Sequence, residues 1–180
     1  MEGCNEETME ILETQNLILK PYEEKYAEKT HKNFFCQEET AKYMLWKPTQ
    51  TPEEAKERLE RWSNNWKYFW IIHDKTTDEP IGFLGTDEVE PNIYGHLGLC
   101  VGLEYKGKGY GSQVLKKCID YLSLKGATEI RYSHFKENIA SQKLAEKMGF
   151  QFVKEGMRTR AWDNKEFKEY FYLLKIQQNS

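Results

Sequence analysis

Lys106 to Ser112 reads Lys-Gly-Lys-Gly-Tyr-Gly-Ser, three glycines alternating with larger residues between a β-rich stretch and a strongly amphipathic one. Glycine reaches positive φ without steric cost and carries no Cβ. Gly107, Gly109 and Gly111 therefore let the chain turn its N–H groups inward and let a ligand approach the backbone. The unpaired N–H groups of a helix's first turn add roughly half a positive charge at that point, which favours a phosphate or pyrophosphate. Lys106 and Lys108 supply mobile positive charge, and Tyr110 and Ser112 complete the loop. An ordinary strand-to-helix turn would use the same glycines for geometry alone. Two nucleotide motifs are excluded. The spacing Gly-x-x-x-x-Gly-Lys-Ser/Thr does not occur, and Gly-x-Gly-x-x-Gly fails because the third glycine counted from Gly107 falls at Ser112.

Such a loop needs a strand before it and a helix after it, and both are legible. Tyr94 to Leu103 reads as a strand running into the glycines. Beyond Gly111, Val114, Leu115, Cys118, Ile119 and Leu122 recur at helical spacing until Gly126 ends the run. Upstream, Leu17-Ile18-Leu19 is a short strand stopped by Pro21, and Tyr26, Thr30 and Phe34 predict a helix from Tyr22 to about Phe34. Thr51-Pro52-Glu53-Glu54 starts another helix with a threonine N-cap, a proline at the first position and a capping-box glutamate. Its apolar face, Ala55, Leu59, Trp62 and Trp66, reads as packing. Tyr68 to Asp74 and Ile81 to Val89 pair as a hairpin, and Thr128 to Phe135 is a later strand. Ala140, Leu144 and Met148 define a short helix closed by Gly149; Phe150 to Val153 and Phe167 to Leu174 are the last strands. The expectation is one mixed α/β (α+β) domain over residues 1–180, with a mostly antiparallel sheet of six or seven strands flanked by helices.

Composition narrows the function. The 180 residues are 39% hydrophobic, enough for one sizeable core. A net charge of −3 gives no general affinity for polyanions, so nucleic acid is not an expected partner. The four cysteines (Cys4, Cys36, Cys100, Cys118) form no Cys-x-x-Cys pair, and the four histidines show no metal-ligand spacing. With no export signal and no long apolar run, the reading is a reduced, cytoplasmic protein without a metal or a membrane partner.

The glycine loop, the order of elements and the stretch from Asn138-Ile139-Ala140-Ser141 to Lys147-Met148-Gly149-Phe150 together resemble the GNAT superfamily of acetyl-coenzyme A dependent N-acetyltransferases. That superfamily's loop has the form Gln/Arg-x-x-Gly-x-Gly/Ala, matched here by Lys106, Gly109 and Gly111. Lysine keeps the charge of the first position without the bidentate fork. Leu17-Ile18-Leu19-Lys20-Pro21 and the Asn-x-x-Ser form resemble the RimJ/RimL branch, which acetylates the N-termini of ribosomal proteins; the likeness covers about residues 14 to 175. It implies acetyl-coenzyme A as cosubstrate, its pyrophosphate on the amides of Lys106 to Ser112. Its pantetheine arm would run along Leu99, Cys100 and Val101 as an added strand, with Asn138 touching it. It also implies an amine acceptor, a protein N-terminus or a small molecule such as an aminoglycoside, a polyamine or an amino acid. A non-catalytic acyl-coenzyme A binding module is the alternative of a different class. A monomer and a homodimer both suit the chain.

Acetyl transfer needs a neutral amine and a stabilised leaving thiolate. Freeing a lysine-like amine at pH 7 costs about 4.6 kcal/mol, an α-amine about 1.4 kcal/mol. For the thiolate, many superfamily members use a tyrosine seven residues after the asparagine, where this chain has Ala145. The resemblance gives the task instead to Ser141, which as a helix first-turn serine also suits plain capping, as Asn138 suits an N-cap. His96, placed by alternation on the face of Gly98 and Cys100, is one candidate base, and Glu88 is another, directly or through water. Attack by an already neutral amine needs neither. Cys100 is a conceivable nucleophile as well as a small buried hydrophobe. Tyr43, Trp46, Trp66 and Trp162 lie in segments that the family places around the acceptor.

Overall fold

A computed structural model describes residues 9–177; Cys4 lies outside the described residues. Among these, eight strands form one sheet: β1 (Leu12–Glu13), β2 (Leu17–Lys20), β3 (Tyr68–Asp74), β4 (Pro80–Glu90), β5 (Ile93–Val101), β6 (Glu129–Phe135), β7 (Gln151–Arg160) and β8 (Lys165–Lys175). Their order is β1-β2-β3-β4-β5-β6-β8-β7. This is the mixed, mostly antiparallel sheet the sequence predicts, with one strand more. The addition is β1, whose two residues carry too short a pattern to register as a strand.

Among the described residues five α-helices flank the sheet: α1 (Ala27–Thr30), α2 (Glu38–Ala41), α3 (Pro52–Asn65), α4 (Tyr110–Leu124) and α5 (Ile139–Lys147). The helix predicted from Tyr22 to Phe34 is only partly α: a 3-10 turn at Glu24–Tyr26 precedes α1 and a π turn at His31–Phe35 follows it. The widened turn lets Phe34 and Phe35 both bury, a pair of adjacent residues that a regular helix would direct 100° apart. At the start of α3, Thr51 Oγ1 accepts from the Glu54 N–H at 3.2 Å, while Glu54 reaches back to the Gln50 N–H at 2.7 Å. The capping box is therefore made, its second arm landing one residue early.

The sheet is covered on both faces, which explains the unbroken apolar run of β3. Trp70 and Ile72 face a core built with Val114, Leu115, Cys118 and Leu122 of α4. Phe69 and Ile71 face a second, aromatic core with Phe34, Phe35, Ala55, Leu59 and Phe83. Trp62 and Trp66 stack in parallel at 5.5 Å and pack against this second core, as the stripe on α3 predicts.

One pair of neighbours breaks the antiparallel rule. β5 and β6, joined through α4, run parallel and pair only at Ile93 with Glu129 and Tyr94 with Ile130. Beyond that, β5 stays with β4 and β6 stays with β8. The sheet opens into a wedge between them.

Candidate active site

The wedge is lined by backbone. The Gly102 N–H donates to Ile81 O at 2.7 Å, on the β4 side. Because successive residues of a strand alternate, the polar groups of Leu99 and Val101 point the other way, into the gap. Both residues line a cleft of about 500 Å³ that continues over the glycine loop to the start of α5. Cys100 lies between them with its side chain on the far face, 1% exposed in the aromatic core, where burial pushes its thiol up to about 12. A thiol so held is not a nucleophile at neutral pH.

At the loop, Gly107 and Gly109 have φ of +78° and +76°, and Gly109 is the N-cap of α4. A Cβ on either would meet nothing within 4 Å, so no protein atom crowds the loop at these two positions. Gly111 differs: it lies in the first turn of α4 at ordinary φ, 3.7 Å from Leu144 in Cβ terms. Lys106, Lys143 and Lys147 rim this end, and Lys147 Nζ donates to Ser112 Oγ at 3.2 Å. Lys108 lies over the rings of Tyr105 and Tyr110, at 5.6 and 6.0 Å, outside the cleft lining. Open amides on β5, a bare helix N-terminus and three lysines fit the diphosphate and extended arm of an acyl-coenzyme A.

The first turn of α5 is held by Asn138, whose Oδ1 accepts the Ser141 N–H at 3.2 Å. Ser141 Oγ lies 2.5 Å from Tyr132 Oη of β6. Tyr132 is 6% exposed, and burial raises its phenol above the ordinary tyrosine range. Ala145, fully buried on α5, brings no hydroxyl to the site. The sequence reading missed Tyr132, although its place between Ile130 and His134 on the inward face of a strand was the available signal.

The opposite wall comes from α2 and the turn after it: Glu39, Thr40, Tyr43 and Met44. Gln37 Oε1 accepts from Thr40 Oγ1 at 2.6 Å and from the Leu103 N–H at 3.0 Å, tying α2 to the end of β5. Arg160, at the tip of β7 and 5% exposed, grips the same segment. Its guanidinium donates to the carbonyls of Lys42 and Met44 at 2.9 and 3.1 Å and forms a two-pronged pair with Asp163 at 3.0 and 2.6 Å. Of the aromatics considered for the acceptor side, Tyr43 lines the cleft; Trp46 and Trp66 pack on the aromatic core, and Trp162 lies under Arg160.

Neither candidate base is brought to this cleft. The register of β4 and β5 slips between Gly85 and Asp87, a bulge that puts His96 at φ +49° with its side chain 75% exposed, 3.8 Å from Asp87 Oδ2. The bulge breaks the alternation that would align His96 with Gly98 and Cys100. Glu88 pairs with Lys67 and accepts the Asn92 N–H at 2.8 Å, interactions that hold its carboxyl below the usual range and weaken it as a base. Among the described residues no group of three potential ligands is arranged for a metal, and no helix is long and apolar enough to cross a membrane.

Residues 16–151 match the Acetyltransferase (GNAT) domain family. YoaA of Bacillus subtilis, named an uncharacterized N-acetyltransferase, is 30% identical over 153 residues, covering 82% of this chain and 85% of that protein. YobR of the same organism, named likewise, is 33% identical over 89 residues; the match spans 49% of this chain and only 35% of YobR. Among solved structures, RimL, a ribosomal L7/L12 α-N-protein acetyltransferase in complex with coenzyme A, superposes with a TM-score of 0.79 at 18% identity, covering 94% of this chain and all of that one.

Proposed function

The chain belongs to the GNAT acetyltransferase family and is an acyltransferase; from that premise we propose that it acetylates the α-amine of a protein N-terminus with acetyl-coenzyme A. Leu99 and Val101 would hold the extended arm by their backbone. The amides of Lys106 to Ser112, with Lys106, Lys143 and Lys147, would hold the diphosphate end, and Asn138 would keep the start of α5 in place. The cosubstrate supplies an acetyl group activated as a thioester. Ser141, at the meeting point of the wedge and α5, gives a hydrogen bond to the sulfur as negative charge gathers there.

One observation carries the choice of acceptor. Among the described residues no histidine lines the cleft, and the one carboxylate that does, Glu39, is 67% exposed in its side chain. A site so poor in bases suits an amine that is already partly neutral at pH 7, and an α-amine is freed for about 1.4 kcal/mol against about 4.6 kcal/mol for a lysine-like amine. Released protons pass to water. Polycationic small molecules would call for several carboxylates, and the acceptor wall of Glu39, Thr40, Tyr43 and Met44 offers one. RimL, which shares the fold, acts on the α-amine of a ribosomal protein.

A thiol-release assay with an acceptor panel tests this reading. Peptides with free N-termini should be turned over, and the same peptides with blocked N-termini should not, even when they contain lysine. Faster turnover of polyamines or aminoglycosides would replace the acceptor. Binding of acetyl-coenzyme A without turnover of any amine would replace the reaction.

A further inference from the structure

We propose that Tyr132 is a positioning residue that turns the Ser141 hydroxyl hydrogen toward the cleft, an inference that rests on the role given above to Ser141. A serine hydroxyl has one hydrogen and two lone pairs. It can stabilise a thiolate only if that hydrogen is not spent elsewhere. The 2.5 Å contact between Tyr132 Oη and Ser141 Oγ admits two directions, and the surroundings decide between them. Tyr132 is buried, and Ser141 Oγ is the acceptor within reach of its phenol among the described residues. Ser141 is the more exposed of the two, so its hydrogen can turn to the cleft, whereas the phenol, 6% exposed, has little access to any acceptor but Ser141 Oγ; with Ser141 as donor the phenol hydrogen would be poorly satisfied, at a cost of up to about 1–3 kcal/mol. With Tyr132 as donor both groups are satisfied and the serine hydrogen is left for the cleft, which Ser141 and Tyr132 both line. Asn138 holds the Ser141 backbone in place beneath that hydroxyl.

The chemistry balances without a proton leaving either hydroxyl. The amine lone pair forms the new N–C bond, and the C–S bond breaks with its electron pair on sulfur. The extra proton on nitrogen goes to water. Ser141 donates a hydrogen bond to the sulfur, and Tyr132 donates one to Ser141, strengthening it as a donor through the chain of polarised bonds.

Steady-state kinetics of Tyr132→Phe, Ser141→Ala and the double variant test this, with melting temperatures as the check on folding. Tyr132→Phe should lower kcat about tenfold, the equivalent of one lost directed hydrogen bond, with KM for acetyl-coenzyme A within about twofold. In the Ser141→Ala background it should do nothing further. Equal losses in both backgrounds, or an unchanged kcat, would overturn the role of Tyr132. An unchanged kcat in Ser141→Ala would instead overturn the reading of the site. Should Tyr132→Phe fail to fold, 3-fluorotyrosine placed at residue 132 keeps ring and hydroxyl while making the phenol more acidic. Once ionised, that phenol draws the serine hydrogen back, so the alkaline fall of kcat should move to lower pH in the fluorinated enzyme and not in its Ser141→Ala form. An unmoved limb would count against the proposal.

Discussion

Trp66 stands where a side chain on Gly85 would have to be: a Cβ built on Gly85 would lie 1.4 Å from Cε3 of the indole, and one on Gly98 2.7 Å from Cη2. Two glycines facing each other across β4 and β5 thus make a slot for one aromatic ring. The ring is not free to retreat, since it stacks on Trp62 at 5.5 Å and meets Phe69 edge-on at 5.5 Å. Gly85→Ala should destabilise the fold by about 2 kcal/mol, the usual scale of overpacking. Urea unfolding should show that cost shrinking when Trp66→Ala is introduced first, because the clash then has no second partner.

Gly109 and Gly111 should respond in opposite ways to alanine. Gly109 is left-handed at φ +76°, where an L side chain costs about 1–2 kcal/mol, although space around it is open. Gly109→Ala should therefore loosen the loop and weaken acetyl-coenzyme A binding several-fold by calorimetry. Gly111 sits in helical backbone with Leu144 at ordinary contact distance, so Gly111→Ala should bind the cosubstrate to within about twofold and raise the melting temperature slightly.

The contrast between these glycines marks how far the sequence could be read. Alternating glycines before an amphipathic run place an anion site with little ambiguity, since strand end, turn and helix start are all local signals. The wedge between β5 and β6 is not local. It depends on how few residues of two parallel strands pair, and no periodicity in either strand records that. His96 was misplaced for a related reason: alternation holds along a regular strand, and the slip between Gly85 and Asp87 resets it. The acceptor wall was legible only as a segment around Tyr43, because what fixes it is Arg160, distant in sequence and brought in by the β7–β8 hairpin.

Arg160 bonds to Asp163 and to carbonyls of the wall while its side chain lies between the rings of Trp162 and Phe167, at 4.5 and 4.9 Å from the guanidinium carbon. Arg160→Met keeps much of the stem's volume and removes every donor. Arg160 is buried but Asp163 is an exposed residue, so the loss falls chiefly on the carbonyls of Lys42 and Met44, which are left without their donor. The localised consequence is a looser Lys42–Met44 segment: KM for the acceptor should rise while the Kd for acetyl-coenzyme A, held on the opposite side of the cleft, stays within about twofold.

His96→Ala and Glu88→Gln should leave kcat/KM within about twofold of the parent enzyme. His96 is exposed on a bulge and Glu88 is tied to Lys67, and neither lines the cleft. A large loss of turnover in either variant, with acetyl-coenzyme A binding intact, would mean that the acceptor's proton leaves by way of β4 and β5 and not through water.

His73 supplies the acid sensitivity expected of the fold. Its ring is fully buried beside Tyr26, and its Nδ1 lies 3.0 Å from Asp78 O, so the neutral ring donates there and leaves Nε2 without a partner among the described residues. Protonation would place a charged N–H in the same dry site. Burial therefore dominates and lowers the His73 pKa, with Lys20 adding to the effect and the Asp78 carbonyl and carboxylate, with Glu23, opposing it. A histidine more easily protonated when unfolded contributes stability that is complete above its unfolded pKa of about 6.5 and falls as pH drops below that value. The Asp78 carboxyl, held down to about 2 by Lys20 and the Tyr26 hydroxyl, adds a separate loss between about pH 4 and about pH 2. Its side chain is 55% exposed, so that second loss is small. Urea midpoints should hold level from about pH 8 to about pH 7 and decline steadily from about pH 6.5 to about pH 5. His73→Gln, which has no proton to gain, should flatten the decline over that interval; an equally steep decline in the variant would place the acid sensitivity elsewhere.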